Sequence, residues 1–257
     1  MKLTILGCGG AGGVPMVSVG WGRCDPAEPK NRRLRPSVLC REGDFTCLID
    51  TGPDLRQQLL NAEVQRLDAV FFTHGHADHT HGIDDLREVN RVMRAAIPAY
   101  GTAETLADSR QRFDYVFQPL DLDKVPVYKP WLTPEPIAGE RFRAGPWEVT
   151  AIDQDHGYGR TTGFRIGNCA YCTDVWQFPE RSMELLQGLD CWVVGCLLDE
   201  PHPTHADLDK VIGWAERLRP KRTILTHMSP RLDYNALLAR LPQGMEPAYD
   251  GMVIDCP

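Results

Sequence analysis

Short apolar runs, rich in β-branched and aromatic residues, alternate along this chain with stretches whose apolar positions recur at helical spacing. Residues 3–6 read as a first strand, and 37–41 and 45–50 as a hairpin turning at Glu42-Gly43-Asp44. An amphipathic helix follows at 54–62, with Leu55, Leu59 and Leu60 apolar, and then a buried strand at 68–72. Ile83, Leu86, Val89 and Met93 repeat at helical spacing, and 103–117 predicts another helix. The second half repeats the alternation. Strands are expected at 147–152, 162–167 and 169–173, a helix near 181–187, and a strand at 189–196. A helix at 206–218 turns Leu208, Val211, Ile212 and Ala215 inward, and an apolar run ends at His227. Two α/β halves result, with no internal repeat by period. The proline-rich segment 119–136 reads as connecting loops over the functional site.

The chemistry concentrates where the strand at 68–72 ends, in Thr73-His74-Gly75-His76-Ala77-Asp78-His79. His74 and His76 are two residues apart, so in extended backbone both imidazoles point the same way. Asp78 and His79 follow as the chain turns into a helix, and aim at a second point nearby. Imidazole nitrogen and carboxylate oxygen suit a borderline metal such as zinc. Four ligands on one ion would close the site; divided between two ions they leave positions open for water. His81, one turn on, reads as a surface or supporting histidine. Residues 16–36 form a long irregular stretch with the basic run Lys30-Asn31-Arg32-Arg33-Leu34-Arg35. That run is either a solvated loop or a source of an arginine that reaches an anionic substrate.

The motif resembles the His-x-His-x-Asp-His signature of the metallo-β-lactamase superfamily. Among eight histidines, the ligands that complete the family's site fall on His156, Asp174 and His227. Each ends a predicted strand, and they come in the family's order. The resemblance implies an α/β fold, an αββα sandwich of two mixed sheets flanked by helices, formed as one domain over 1–257, with two divalent ions, Zn2+ or Mn2+, at one edge. His74, His76 and His156 would hold one ion, and Asp78, His79 and His227 the other, with Asp174 bridging. Asp50, in Asp50-Thr51-Gly52, would orient ligand histidines without binding metal. The glycine-rich loop after the first strand lacks the spacing of a phosphate cradle, and the resemblance places it beside the metals instead. Two ions, two carboxylates and a bridging hydroxide leave a net charge of about +1, suited to an anionic substrate. Asp78 and His205, the latter just before the helix at 206–218, are the catalytic candidates.

Within the superfamily, Gly9-Gly10-Ala11-Gly12-Gly13-Val14-Pro15, His205 and Tyr249-Asp250-Gly251-Met252 resemble the phosphoribosyl 1,2-cyclic phosphate phosphodiesterase (PhnP-like) group. That group's additional cysteine-bound zinc has no counterpart, since the first loop keeps only Cys24 and Pro230 stands after His227-Met228-Ser229. The function implied is a dinuclear-metal phosphodiesterase acting on a small or cyclic phosphodiester through attack by metal-bound hydroxide. The alternatives are a nuclease like the tRNA 3′-processing endonuclease, and a lactone or thioester hydrolase.

Composition narrows the setting. With 257 residues and 42% apolar content the chain supports one large core. A net charge of −7 argues against broad nucleic-acid affinity. Met1-Lys2 leads straight into the first strand and no run of 18 apolar residues occurs, so no signal peptide or membrane span is expected. Nine cysteines at no framework spacing read as reduced core residues of a cytoplasmic protein. Cys169-Ala170-Tyr171-Cys172 has CxxC spacing but no second pair. A homodimer is left open.

Overall fold

The computed structural model describes residues 1–256. Its strands are, in chain order, β1 (Lys2–Gly7), β2 (Ser37–Glu42), β3 (Phe45–Ile49), β4 (Ala69–Phe71), β5 (Ile97–Gly101), β6 (Leu132–Pro136) and β7 (Arg141–Ala144). The others are β8 (Trp147–Asp155), β9 (Arg160–Ile166), β10 (Cys169–Cys172), β11 (Cys191–Gly195), β12 (Arg222–Thr226), β13 (Met245–Pro247) and β14 (Val253–Asp255). The α-helices are α1 (Leu55–Asn61), α2 (Ala77–Thr80), α3 (Leu86–Met93), α4 (Ala103–Arg112), α5 (Glu180–Leu185), α6 (Leu208–Leu218) and α7 (Tyr234–Leu238).

Two seven-stranded sheets form, ordered β14-β1-β2-β3-β4-β5-β6 and β13-β12-β11-β10-β9-β8-β7. Both are mixed: β14 through β3 and β7 through β10 pair antiparallel, and the remaining neighbours in each sheet pair parallel. Side chains alternate across the first sheet. Val38, Cys40, Cys47, Ile49, Ala69 and Phe71 face the second sheet's Val149, Ile152 and Phe164. Leu39, Leu48, Val70 and Phe72 face the other way, under Leu55 and Leu59 of α1 and Leu86 and Val89 of α3. Burial on both faces is why these strands read as unbroken apolar runs. Phe71 anchors the seam, its ring 5.0 Å from Phe164 and 5.4 Å from Phe142. This is the αββα sandwich that the resemblance implies.

Departures from expectation have local causes. The helix expected at 103–117 breaks after Arg112, and a 3-10 turn, Asp114–Phe117, completes it. On α6, Trp214 is buried with Leu208 and Val211, whereas Ile212 and Ala215 are half-buried. The proline-rich segment does not lie over the site. Its end is the edge strand β6, where Pro134 and Pro136 are tolerated because an edge leaves some N–H groups unpaired. The part before it packs on α3, where Arg91 Nε donates to Val127 O at 3.0 Å and Asn90 Nδ2 to Trp131 O at 2.9 Å.

Most of the basic run is engaged by the protein itself, with Arg32 left exposed. Arg33 is buried and its Nη2 donates to Leu232 O at 2.7 Å, while Arg35 pairs with Asp54 at 2.8 Å. Lys30 donates to the Tyr234 hydroxyl and Arg32 stacks over Trp21. Lys30, Arg33 and Arg35 thus fasten the first loop to the body of the protein. Cys24 is equally structural, buried with Sγ near the carbonyls of Pro230 and Leu232. The expectation of nine reduced cysteines is corrected as well. Cys169 on β10 is disulfide-bonded to Cys256 beside β14, joining the two sheets; the other seven are free and buried. The described ends meet, with the Met1 amine donating to Cys256 O at 2.9 Å. No helix among the described residues is long and apolar enough to cross a membrane.

Candidate metal centre

The end of β4 delivers the motif to the cleft between the sheets. His76 caps α2, whose first turn carries Asp78 and His79. Two glycines make the close fit possible: a side chain at Gly52 would overlap the Asp78 carbonyl oxygen, and one at Gly82 the Gly52 carbonyl oxygen. The Asp50-Thr51-Gly52 loop is thereby locked to α2, with Thr51 N donating to His79 O and Gly82 N to Thr51 O, both at 2.7 Å. From the other sheet, β8 leads into His156, β10 into Asp174 and β12 into His227.

All seven residues named from the resemblance converge, in two groups. His74, His76, His156 and Asp174 form one; Asp78, His79, Asp174 and His227 form the other, and within each group the ligand atoms lie within 4.8 Å of one another. Asp174 belongs to both. Its Oδ2 faces His74 Nε2 at 3.7 Å and His156 Nε2 at 3.9 Å, and its Oδ1 faces His79 Nε2 at 3.2 Å and His227 Nε2 at 3.1 Å. Asp78 Oδ2 lies 3.2 Å from His79 Nε2 and 3.4 Å from His227 Nε2. These are the metal-type groups present among the described residues, and Cys24 is in neither.

Partners behind the imidazoles set which nitrogen is free. His79 Nδ1 donates to Asp50 Oδ2 at 2.6 Å, and His156 Nδ1 to Thr204 O at 2.7 Å. The Thr73 hydroxyl donates to Asp50 and stands 3.0 Å from His74 Nδ1, which donates to it in turn. The Nε2 lone pairs of all three rings therefore point into the centre. The Nε2 atom of His74 is buried with no hydrogen-bond partner, as a donor shaped for a cation would be. Three residues here also hold left-handed backbone, Asp50 (φ 64°), Asp174 (φ 52°) and His227 (φ 56°), each just past a strand end.

Electrostatics follow from the packing. Burial, then the nearby His79, hold the His74 imidazole well below its usual range. Burial opposes charge on His79 too, yet the Asp174, Asp78 and Asp50 carboxylates raise it well above. Burial also works against charge on Asp174, but His227 and His79 keep its carboxyl well below the ordinary value. Burial raises the Asp50 carboxyl, with His79 and Thr73 offsetting part of the effect.

Asp50 is fully buried and accepts from Thr73 N at 2.8 Å as well as from Thr73 Oγ1 and His79. Replacing it with alanine is expected to weaken metal affinity about 10–100-fold, the usual cost of losing such a supporting carboxylate. Competition with a chelator of known affinity measures this; parental affinity in Asp50→Ala would remove the orienting role.

His205 stands beside both groups without belonging to either, its ring 4.7 Å from His156 and 5.0 Å from His227. Burial, then His227, lower it to about 3, which favours the neutral ring. His81 is exposed against Phe113 and takes no part. The sequence reading missed Thr73, the Thr204 carbonyl, and α4, which supplies Thr102, Glu104, Thr105 and Asp108 to the cleft wall. Thr73 opens the motif itself and was the one within reach. Arg112 on α4 also donates to the Gly75 carbonyl, pinning the ligand loop.

Comparison with known proteins agrees with this geometry. The family model described as "Beta-lactamase superfamily domain" matches residues 46–228. A solved diphosphatase from the PhnP family superimposes with TM-score 0.90 at 35% identity, over 98% of this chain and 96% of that one. An octanoyltransferase from Porphyromonas gingivalis is 29% identical over 98% of this chain, which spans about half (51%) of that protein. Ribonuclease Z from Pyrobaculum islandicum is 26% identical, covering 90% of this chain and 88% of its own.

Proposed function

The chain belongs to the beta-lactamase superfamily and stands close to the PhnP family within it, and from that premise we propose that this metal-dependent hydrolase opens phosphodiester or diphosphate bonds in a small substrate. The observation that carries the reading is the pair of His/Asp groups sharing Asp174 in a cleft of about 600 Å³. His74, His76 and His156 would hold one divalent ion and Asp78, His79 and His227 the other, with Asp174 common to both. The donor set suits zinc and is compatible with manganese. When bound, such ions activate water at neutral pH and polarise phosphoryl oxygens. Asp50, Thr73 and the Thr204 carbonyl hold the imidazoles in place. Asp78 would border the reacting centre, and His205, beside both groups, would hand a proton to the departing oxygen.

The walls of the cleft favour a small substrate over tRNA. Glu104, Asp108 and Asp153 line it, and its arginine is already engaged, Arg160 Nε donating to Asp153 at 2.8 Å. A polyanion would meet carboxylates beyond the metals.

The test joins metal analysis to a substrate panel. The purified protein is expected to hold about two divalent ions per chain, not three, since a further structural zinc would need its own four ligands. It should turn over cyclic phosphodiesters or diphosphate diesters in preference to RNA and lactones, and lose that activity to chelators. Three zinc ions per chain would overturn the metal reading, and faster lactone or RNA cleavage the substrate reading.

A further inference from the structure

Tyr158 is the most exposed aromatic side chain among the described residues, at 91%, yet it lines the same cleft as the metal groups. It sits at the tip of the β8–β9 turn, two residues past His156. The turn is closed by His156 N donating to Gly159 O at 3.0 Å and Tyr158 N to His156 O at 3.1 Å. Gly157 has φ +80°, and a side chain there would collide with the Pro203 carbonyl and Thr204. The turn thus rests on the loop that carries His205, and the His156–Thr204 hydrogen bond ties the two together. The backbone that carries this exposed aromatic ring at the rim is therefore fixed.

The other rim residues describe what the ring would face. Beyond the metal groups the cleft wall carries the carboxylates of Glu104, Asp108 and Asp153, and its arginine, Arg160, is already paired with Asp153. Carboxylates accept hydrogen bonds and repel negative charge, so a ligand end lying away from the metals should be uncharged and rich in donors. A planar ring bearing N–H and O–H groups on a sugar meets both demands. We infer that the cleft contains a nucleoside subsite, in which Tyr158 stacks on the base of a nucleotide-type phosphodiester or diphosphate whose phosphate lies at the His/Asp groups. The inference rests on the phosphoryl reading above and narrows its substrate class.

Binding tests it separately from turnover. Adenosine 5′-monophosphate and ribose 5-phosphate, which share the phosphate and sugar but differ by the base, are titrated by calorimetry into the metal-loaded protein and into its Tyr158→Ala and Tyr158→Phe variants. A base stacked on an aromatic ring should give the nucleotide an advantage of roughly 5- to 100-fold. That advantage is expected in the parent, retained in Tyr158→Phe, and lost in Tyr158→Ala, with ribose 5-phosphate binding unchanged throughout. Equal affinities in the parent, or an advantage that survives in Tyr158→Ala, would overturn the subsite. Binding of neither ligand would overturn it too. A protein that prefers the nucleotide in this way but cleaves no phosphodiester or diphosphate keeps the subsite and refutes the proposed reaction.

Discussion

Asp174→Ala is expected to lose both ions and essentially all turnover together. Each oxygen of this carboxylate faces a different pair of imidazoles, so no other residue can replace it in both groups. Losing a carboxylate behind a ligand costs about 10–100-fold, and losing one shared by two ions should cost more, on the order of 10³-fold or beyond. Asp78→Ala makes the informative contrast. Asp78 serves only the group with His79 and His227, so that variant should keep about one ion per chain, held by His74, His76, His156 and Asp174. Elemental analysis of the two proteins after identical dialysis, together with phosphodiester turnover, decides the matter. An Asp174→Ala protein that retains two ions would remove the bridging role.

Replacing His205 should act differently, on the chemistry and not on the metals. A ribose-like alkoxide is a poor leaving group and needs a proton as the bond breaks, whereas an aryl oxide is stable as its anion. Positioned general acids contribute about 10²–10⁴-fold. His205→Ala is therefore expected to lose that much on an alkyl or cyclic sugar phosphodiester, and clearly less on a bis-aryl phosphodiester. Metal content should not change, because His205 lies outside both groups. Equal losses on the two substrates would point to phosphate binding in place of proton transfer, and loss of an ion would make His205 a ligand.

The candidate centre is legible in the sequence because its residues sit where strands stop. His74, His156, Asp174 and His227 each follow an apolar run, and four of the seven candidate residues fall within 74–79, where the chain enters α2. Short peripheral strands left little trace. β6 carries two prolines, β13 and β14 are three residues each, and β7 is mostly exposed, so none shows the buried run that marks β3 or β11. The basic run misled for another reason. Whether Arg33 faces solvent or the interior depends on the carbonyls of Ser229 and Leu232, almost two hundred residues away, and no local pattern encodes them. Tyr158 was invisible too, because exposure is not a property of composition.

The meeting of the described ends has a consequence for modular assembly. Met1 and Cys256 lie side by side at the start of β1, while the other end of β1 runs into the loop where Cys8 accepts from Met228, next to His227. Six residues of strand separate the two, roughly 20 Å. A polypeptide attached at either end would hang from the same corner of the sandwich, on the side away from the cleft. A fused module could therefore tether this hydrolase without shading its mouth, and the same neighbouring ends are the geometry that circular permutation requires.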